Sequence, residues 1–265
     1  MSKPVILVRD YMTPAVVAVD PPTSLERVLA KLREHDISSV VVAGAEGDAV
    51  GVVSMTDLLR ASTVDHLRPG ERIKVMPPSL TARDVMRSPV FTVRDDAPVS
   101  EAASLLRAHR VHRLFVTSGD GVVGVFSTRD AMRVVRVLRI ATPVGQLMST
   151  PVITVDIGES IDDALERLDD RDMQGVVVVD GKRPVGVFTQ HEAILARALP
   201  AELRKVARVE EVTSYEVITA DVATPLYRAA SQVMATKARR VLATEGHELR
   251  GVLTGYDVSR VLVDR

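Results

Sequence analysis

A short pattern occurs four times along this chain, and a fourfold repeat restricts the possible folds more than any other feature of the sequence. The pattern is Gly, two apolar residues, Ser or Thr, two variable residues and an acid, and it recurs roughly every 60 to 75 residues. The copies are GVVSMTD (51–57), GVFSTRD (124–130), GVFTQHE (186–192) and GVLTGYD (251–257). The chain is therefore expected to contain four copies of one structural unit.

A second landmark precedes each copy at a similar distance. Its versions are DYMTPAVVAV from Asp10, DVMRSPVFTV from Asp84, QLMSTPVITV from Gln146 and EVTSYEVITA from Glu211. The fourth version lacks both Met and Pro, so its loop is expected to follow another path.

The segments between the landmarks predict one helix followed by two strands. In the second copy, Ala102, Leu105 and Leu106 have the spacing of an amphipathic helix, with Ser100 as its N-cap and a strand at 111–116. The third copy has the same period from Ser160. Valine runs at 39–42 and 176–179 favour buried strands, and the glycine-containing turns at 44–47, 119–121, 181 and 246 favour hairpins.

Each unit is therefore predicted to be α/β, with the order β-α-β-β-α. A unit of about 60 residues buries too little surface to be stable alone, so the units are expected to form pairs. The longest linker, at 61–81, lies inside the first pair, and residues 133–141 are expected to continue a helix.

The repeated pattern is predicted to end a strand and begin a helix. Backbone N–H groups and the positive end of the helix dipole suit a phosphate at that point. The Ser or Thr hydroxyl adds a donor, and the acid one turn later can accept hydrogen bonds from ribose hydroxyls. The competing interpretation is a capping box, which needs no ligand. Four copies in register favour the ligand site.

The two landmarks together resemble the cystathionine β-synthase (CBS) domain, and the resemblance covers nearly the whole chain. It implies two Bateman modules, at residues 1–138 and 139–265, with CBS motifs at about 8–66, 80–138, 143–200 and 207–265. The chain looks most similar to the regulatory γ subunit of AMP-activated protein kinase and to archaeal proteins like it. That likeness implies a disc of two modules, with ligand clefts between paired motifs.

The resemblance also implies which residues line each cleft, since one motif supplies the ribose acid and its partner supplies the adenine wall. Ser54, Thr56 and Asp57 would face Pro89, Val111, His112 and Arg113. Ser127 and Asp130 would face Thr13, Pro14, Ile37 and Ser38. Thr254 and Asp257 would face Gln146, Pro151, Met173 and Gln174. The remaining cleft would pair Thr189 and Glu192 with Val217 and Arg240.

Two basic segments, HRVHRLFV (109–116) and KARRVLA (237–243), resemble the phosphate-contacting segments of that γ subunit. Arg113, Arg239 and Arg240 therefore favour a phosphorylated ligand. The Glu192 cleft departs from the pattern through its longer acid and through Tyr215 and Glu216, which replace the usual Ser or Thr and Pro. It is expected to be empty or the weakest of the four.

The composition excludes several other classes of protein. The net charge of −1 provides no field for nucleic acid or an anionic membrane, and the aromatic content of 3% without Trp provides few stacking platforms. With no Cys, signal peptide or membrane-spanning run, the chain is expected to be cytoplasmic.

No catalytic motif was found, so the chain is not expected to be an enzyme and needs no catalytic cofactor. His109 with His112, and the acids at 169, 170 and 172, lack the partners of a metal site. The predicted ligand is AMP, ADP or ATP, and the predicted output is a signal to a separate, unidentified effector protein. A homodimer through the disc face is allowed. The alternatives are a sensor of S-adenosylmethionine or another adenosyl ligand, and a ligand-free protein-interaction scaffold.

Overall fold

A computed structural model describes residues 5–14, 16–68, 71–75, 77, 79–119, 121–169, 175–236 and 238–263. A two-residue strand, β1 (Thr13–Pro14), precedes the first repeat. The first repeat contains β2 (Ala18–Val19), α1 (Leu25–Glu34), β3 (Ser39–Ala43), β4 (Ala49–Ser54) and α2 (Met55–Ala61). The linker contains β5 (Thr63–Arg68), β6 (Glu71–Val75) and α3 (Ala82–Val85). The second repeat contains β7 (Thr92–Arg94), α4 (Val99–Ala108), β8 (Arg113–Ser118), β9 (Gly121–Ser127) and α5 (Thr128–Val137).

The second half of the chain repeats this order. The third repeat contains β10 (Thr154–Asp156), α6 (Ile161–Asp169), β11 (Gly175–Asp180), β12 (Arg183–Thr189) and α7 (Gln190–Arg197), followed by α8 (Ala201–Val206). The fourth contains β13 (Ile218–Asp221), α9 (Leu226–Ala235), β14 (Arg240–Glu245), β15 (Glu248–Thr254) and α10 (Gly255–Val263). The predicted β-α-β-β-α order is confirmed in all four copies.

Each repeat forms a small mixed sheet in which the middle strand pairs with both others. In the third repeat β10 runs parallel to β11, and β11 runs antiparallel to β12. The first and fourth repeats have the same arrangement. In the second repeat the sheet gains β1 at its edge, in the order β1-β9-β8-β7. The hairpin turns predicted at glycines are also confirmed, since Gly47, Gly119, Gly181 and Gly246 all have positive φ.

The valine runs are buried because both faces of the middle strand are covered. In the third repeat, one face of β11 carries Val176 and Val178 and packs against the apolar side of α6, which includes Ile161 and Leu168. The other face carries Val177 and Val179, which pack with Val187 of the same repeat and Leu242 of the fourth repeat. A strand covered on both faces needs a continuous apolar sequence, and β-branched residues suit it. The packing pairs the third repeat with the fourth.

The chain divides into two compact units. The first unit comprises Met1–Tyr11, Pro98–Arg113 and Phe126–Arg265, and the second comprises Met12–Ala97 and Leu114–Val125. In the first unit, helices α4 and α5 of the second repeat pack against α9 and α10 of the fourth. The division into modules at about residue 138 and the disc arrangement stay predictions.

Three expectations about element boundaries were wrong. Helix α4 begins at Val99 with Pro98 as its N-cap, so Ser100 lies inside the helix; Pro98 also bridges Leu7 in extended conformation. Strand β8 begins at Arg113, because Arg110 turns the chain at φ 51° after the helix. Helix α5 ends at Val137, since Arg139 is also left-handed at φ 50°, and residues 138–141 are not helical.

The linker at 61–81 is more structured than expected. It contains the antiparallel hairpin of β5 and β6. The short helix α3 leads directly into the landmark loop of the second repeat. Short 3-10 helices at Val8–Asp10, Val144–Gln146 and Val209–Val212 precede the other three landmarks. A turn of helix therefore begins each landmark loop.

Candidate functional site

The repeated Ser or Thr caps a helix together with its acid in every copy. The backbone N–H and hydroxyl of Ser54 donate to Oδ2 of Asp57 at 2.9 and 2.5 Å. The corresponding distances are 2.8 and 2.7 Å from Ser127 to Asp130, and 2.7 and 2.7 Å from Thr254 to Asp257. Thr189 bonds Glu192 in the same way. The competing capping-box interpretation therefore holds structurally, and it occupies one carboxylate oxygen of each acid.

The second oxygen of each Asp accepts a hydrogen bond from a residue outside the capping box. Oδ1 of Asp57 accepts from Nε of Arg87 at 2.7 Å, and Oδ1 of Asp257 accepts from the hydroxyl of Ser149 at 2.8 Å. Oδ1 of Asp130 accepts from Arg133, which also donates to the carbonyl of Tyr11 at 2.6 Å. Asp57 and Asp130 are buried, at 6% and 5% exposure. A ribose hydroxyl that bonds one of these acids must therefore share or replace a protein donor.

Each landmark loop is joined to the strand that carries the glycine of the repeated pattern in the paired copy. Backbone bridges link Arg87 to Val52, Ser149 to Val252 and Ser214 to Val187. Strand β1 makes the equivalent link when Thr13 pairs with Val125. These bridges pair the first repeat with the second and the third with the fourth.

The pattern's glycine is required because the landmark methionine lies against it. A Cβ added at Gly251 would lie 2.5 Å from Sδ of Met148, and one at Gly124 would lie 2.8 Å from Sδ of Met12. Met86 occupies the same place against Gly51. The landmark Met of one repeat therefore contacts the pattern Gly of its paired repeat.

The landmark loop of the fourth repeat forms the same backbone bridge although it lacks Met and Pro. The N–H groups of Val187 and Ser214 each donate to the other's carbonyl at 2.9 Å, as in the other copies. Thr213 takes the place of Met against Gly186. The expectation of another path was thus wrong for the bridge itself, because backbone hydrogen bonds define it. Beyond the bridge, Tyr215 is 56% exposed and its hydroxyl bonds the carbonyl of Glu210.

Basic side chains from the second and fourth repeats gather in the first unit. Burial lowers the pKa of His112, and the charges of Arg113, Arg240 and Arg239 lower it further. Burial likewise lowers the pKa of Arg240, which the negative charge of Glu192 partly offsets. The imidazole of His112 retains an exposed edge and contacts Tyr256 edge-on, with 5.6 Å between ring centroids. Several cations therefore act on one another at the starts of β8 and β14.

Two helix N-termini meet at the same place. A Cβ added at Gly255, the first residue of α10, would lie 2.6 Å from Cβ of Thr128, the first residue of α5. The N–H of Thr128 is bonded to the carbonyl of His112 at 3.0 Å. Only glycine permits this approach, which brings two positive helix ends beside the basic side chains.

The predicted residues are distributed over both units. In the first unit, Thr254, Asp257, Gln146 and Pro151 belong to the joined third and fourth repeats, as do Thr189, Glu192, Val217 and Arg240. Ser54, Thr56, Asp57 and Pro89 belong to the second unit, as do Thr13, Pro14, Ile37 and Ser38. It stays a prediction that Val111, His112 and Arg113 face Asp57. It stays equally a prediction that Thr13, Pro14, Ile37 and Ser38 face Asp130. Met173 and Gln174 lie outside the described residues.

The sequence interpretation missed Arg87, Ser149 and Arg133 as partners of the acids. Two of them were accessible to sequence reasoning, because Arg87 and Ser149 directly follow the landmark Met, in the position of Thr13. Copying Thr13 across the repeats would have named them. Arg133 lies one turn after Asp130 on α5, and Arg60 and Arg260 hold the same position after Asp57 and Asp257, so the sequence alone does not show which arginine bonds its acid.

These features define a class of protein: paired α/β repeats that present capped helix N-termini to the loop of the partner repeat. The model of the CBS domain family matches residues 8–63, 82–137 and 144–198, which is more than half of the chain. The chain belongs to the CBS domain family. The fourth repeat falls outside these matches, but its strands and helices follow the same order.

Two solved structures share the fold over nearly the whole chain. One is protein MJ1225 from Methanocaldococcus jannaschii, described as a proposed archaeal homologue of g-AMPK, with a TM-score of 0.75, 17% identity and coverage of 97% of this chain and 99% of that one. The other is a conserved protein from Pyrococcus horikoshii, with a TM-score of 0.69, 19% identity and coverage of 97% and 100%. These identities establish the likeness of fold.

Among curated proteins, the uncharacterized protein MJ1404 of Methanocaldococcus jannaschii is 25% identical over 272 residues, which cover 77% of this chain and 64% of that protein. Protein MK0525 of Methanopyrus kandleri is 29% identical over 45% of this chain and 57% of its own length. The chain thus spans less than two thirds of these relatives. No helix in the part of the chain that the structure describes is long and apolar enough to cross a membrane.

Proposed function

We propose that the chain binds adenine nucleotides in the clefts between paired repeats and acts as a regulatory sensor. The observation that carries the proposal is the meeting of two helix N-termini with His112, Arg113, Arg239 and Arg240 in the first unit. Like charges in partly desolvated surroundings repel one another, and a bound anion would add to the compensation that Glu192 gives Arg240. Phosphate suits both the guanidinium groups and the helix ends.

The acids supply the second part of the ligand site. Asp57, Asp130 and Asp257 each direct Oδ1 away from the capping box, and two of these oxygens bond the landmark loop of the paired repeat. The loop residues Thr13, Pro14, Pro89 and Pro151 are exposed. A nucleoside whose base contacts the loop and whose ribose contacts the acid fits this arrangement.

The regulatory role follows from the architecture. Since the sequence carries no recognised catalytic motif, we expect the output to pass to a separate effector protein. We propose AMP, ADP or ATP as ligands, a cytoplasmic location, and a chain that supplies both modules itself, with dimerisation through a flat face as a secondary state.

A scaffold without ligand is the second candidate, and one observation favours it. The capping boxes and the donors Arg87, Arg133 and Ser149 satisfy the acids within the protein.

A sensor of S-adenosylmethionine would use the same acids for its ribose. Its sulfonium is a cation, so the charges of Arg239 and Arg240 disfavour it.

Ligand extraction followed by titration tests the proposal. Mass spectrometry of small molecules released from the purified protein is expected to find an adenine nucleotide, and calorimetry with AMP, ADP and ATP is expected to give saturable binding. Arg239→Ala is expected to weaken binding by about tenfold, because it removes a charge-assisted contact to phosphate. Arg250→Ala is the matched control, since Arg250 is an exposed arginine of the same repeat that pairs with Glu245. Binding of S-adenosylmethionine alone, or of no adenosyl compound, would refute the proposal.

A further inference from the structure

We infer that Arg87 competes with the ribose for Asp57 and thereby lowers the nucleotide affinity of that cleft relative to the Asp257 cleft. This inference rests on the proposed function. In two of the repeats, the residue that follows the landmark Met donates a hydrogen bond to Oδ1 of the aspartate. Nε of Arg87 holds Asp57 at 2.7 Å, and the hydroxyl of Ser149 holds Asp257 at 2.8 Å.

The carboxylate of Asp57 has little capacity left for a ligand. Its Oδ2 accepts both the backbone N–H and the hydroxyl of Ser54, which together use the two lone pairs of that oxygen. Oδ1 has two acceptor sites, and Arg87 donates to one of them. A ribose with two vicinal hydroxyls needs both of these sites, so it meets Arg87 directly.

The backbone holds Arg87 in place. Its N–H and carbonyl pair with Val52 at 2.9 and 3.1 Å, and the hydroxyl of the following Ser88 donates to the carbonyl of Val50 at 2.7 Å. The loop therefore keeps its position when the side chain leaves Asp57. The side chain of Arg87 is 59% exposed, whereas that of Asp57 is 7% exposed. A ribose can therefore displace Arg87 from Asp57 through a rotamer change of the exposed arginine side chain, without movement of the loop.

Ser149 creates a different situation at the equivalent position. A serine hydroxyl is short and neutral, and it both donates and accepts, so it can remain beside Asp257 and accept a hydrogen bond from a ribose hydroxyl. A guanidinium has no acceptor and carries a full charge that pairs with the carboxylate. The two clefts therefore share an acid and differ in the competing donor.

The test exchanges these two residues and measures AMP binding by calorimetry. Arg87→Ser is expected to tighten binding at the Asp57 cleft about fivefold, because it removes an ion pair whose arginine is exposed. The gain is expected to vanish when Asp57→Ala is added. Ser149→Arg is expected to weaken binding at the Asp257 cleft by a similar factor. If Arg87→Ser lowers the melting temperature strongly, Arg87→Thr provides a second variant. Threonine is the residue at the equivalent position of the first repeat, Thr13.

Arg94→Ser is the matched control, since Arg94 forms an exposed ion pair with Asp96 in the same unit, at 2.9 Å. It is expected to leave binding unchanged. Unchanged or weaker AMP binding in both Arg87 variants would overturn the inference while leaving nucleotide binding by the wild-type chain intact. If the wild-type chain bound no AMP, ADP or ATP, the proposed function itself would fail, and the inference with it.

Discussion

His112 is a titratable residue of the basic group, and its protonation is expected to respond to a bound anion. Burial and the charges of Arg113, Arg240 and Arg239 lower its pKa below the usual 6.5, so the folded protein favours the neutral imidazole. Its contribution to stability is complete above about pH 6.5 and is lost as the pH falls through its lowered folded-state pKa, because the unfolded chain binds the proton more readily. A phosphate nearby reverses the effect of the arginines and raises this pKa.

Nucleotide binding near pH 6 is therefore expected to take up protons. Calorimetry in two buffers with different ionisation enthalpies measures that uptake, and His112→Gln is expected to reduce it. His247→Gln is the control, since His247 lies exposed in the turn between β14 and β15. Equal proton uptake by wild type and His112→Gln would exclude His112 from the phosphate site.

Asp36 offers a stability test at the residue scale. It follows helix α1 in the left-handed region, at φ 48°, where glycine is favoured over other residues. Asp36→Gly is expected to raise the free energy of unfolding by up to about 1 kcal/mol, because the relief of strain exceeds the added entropy of glycine in the unfolded chain. Glu34→Gly, two residues earlier inside the helix, is expected to lower it by a similar amount. Chemical denaturation measures both, and the same sign for the two variants would contradict this explanation.

The sequence predicted the acids of the site better than their partners. Asp57, Asp130, Asp257 and Glu192 repeat in register, so each could be placed one turn into a helix. The repeat does not single out Arg133 as a donor, because Arg60 and Arg260 stand at the same position after Asp57 and Asp257, whose Oδ1 atoms accept from Arg87 and Ser149 instead. Which residue occupies a carboxylate depends on side-chain reach across a folded pair, and the repeat pattern does not encode it.

At the scale of elements, the contact between landmark Met and pattern Gly couples the paired repeats. Gly251→Ala is expected to destabilise the protein by about 1 to 3 kcal/mol, because its Cβ would lie 2.5 Å from Sδ of Met148. Gly121→Ala is the control, since a Cβ there would meet no atom within 4 Å. Both are measured by denaturant unfolding.

Adding Met148→Ala to Gly251→Ala separates this contact from a general effect of alanine. Because the smaller side chain leaves room for the new methyl group, the double variant is expected to cost less than the sum of the single variants. A strictly additive cost would contradict a direct contact between Met148 and Gly251.

The element predictions succeeded where burial determines the sequence and failed where it does not. The valines at 176–179 lie in a strand covered on both faces, so an apolar run predicted it correctly. The hairpin of β5 and β6 lies in a polar, proline-containing linker, where the alternation of Ile73 and Val75 with polar residues is too short to predict a strand. The end of α5 was missed because Arg139 takes the left-handed conformation that usually marks a glycine.

At the scale of the whole molecule, adenine nucleotides are expected to raise the melting temperature. A ligand that binds only the folded state adds about 2.7 kcal/mol of stability at a hundredfold excess over Kd. Guanine nucleotides are expected to shift it less, because the adenine wall proposed for the landmark loop would read position six of the purine through backbone groups. Equal shifts in differential scanning fluorimetry would contradict adenine specificity.

The number of working clefts depends on how the four repeats differ. Three acids are Asp, whereas Glu192 carries an extra methylene and its charge already acts on Arg240. Tyr215 and Glu216 would further change the wall of the cleft proposed there. Removing an effective ribose acid is expected to lower the affinity of its cleft about 10- to 150-fold, which corresponds to charge-assisted hydrogen bonds of about 1.5 to 3 kcal/mol.

The most direct measurement is the stoichiometry of adenine-nucleotide binding by calorimetry for the wild type, Asp257→Ala and Glu192→Ala. The wild type is expected to bind up to three nucleotides. Asp257→Ala is expected to lose one of them, and Glu192→Ala is expected to leave the number unchanged or to raise it. If Glu192→Ala abolished a site as completely as Asp257→Ala, or if Asp257→Ala bound as many nucleotides as the wild type, the assignment of the ribose acids would be wrong.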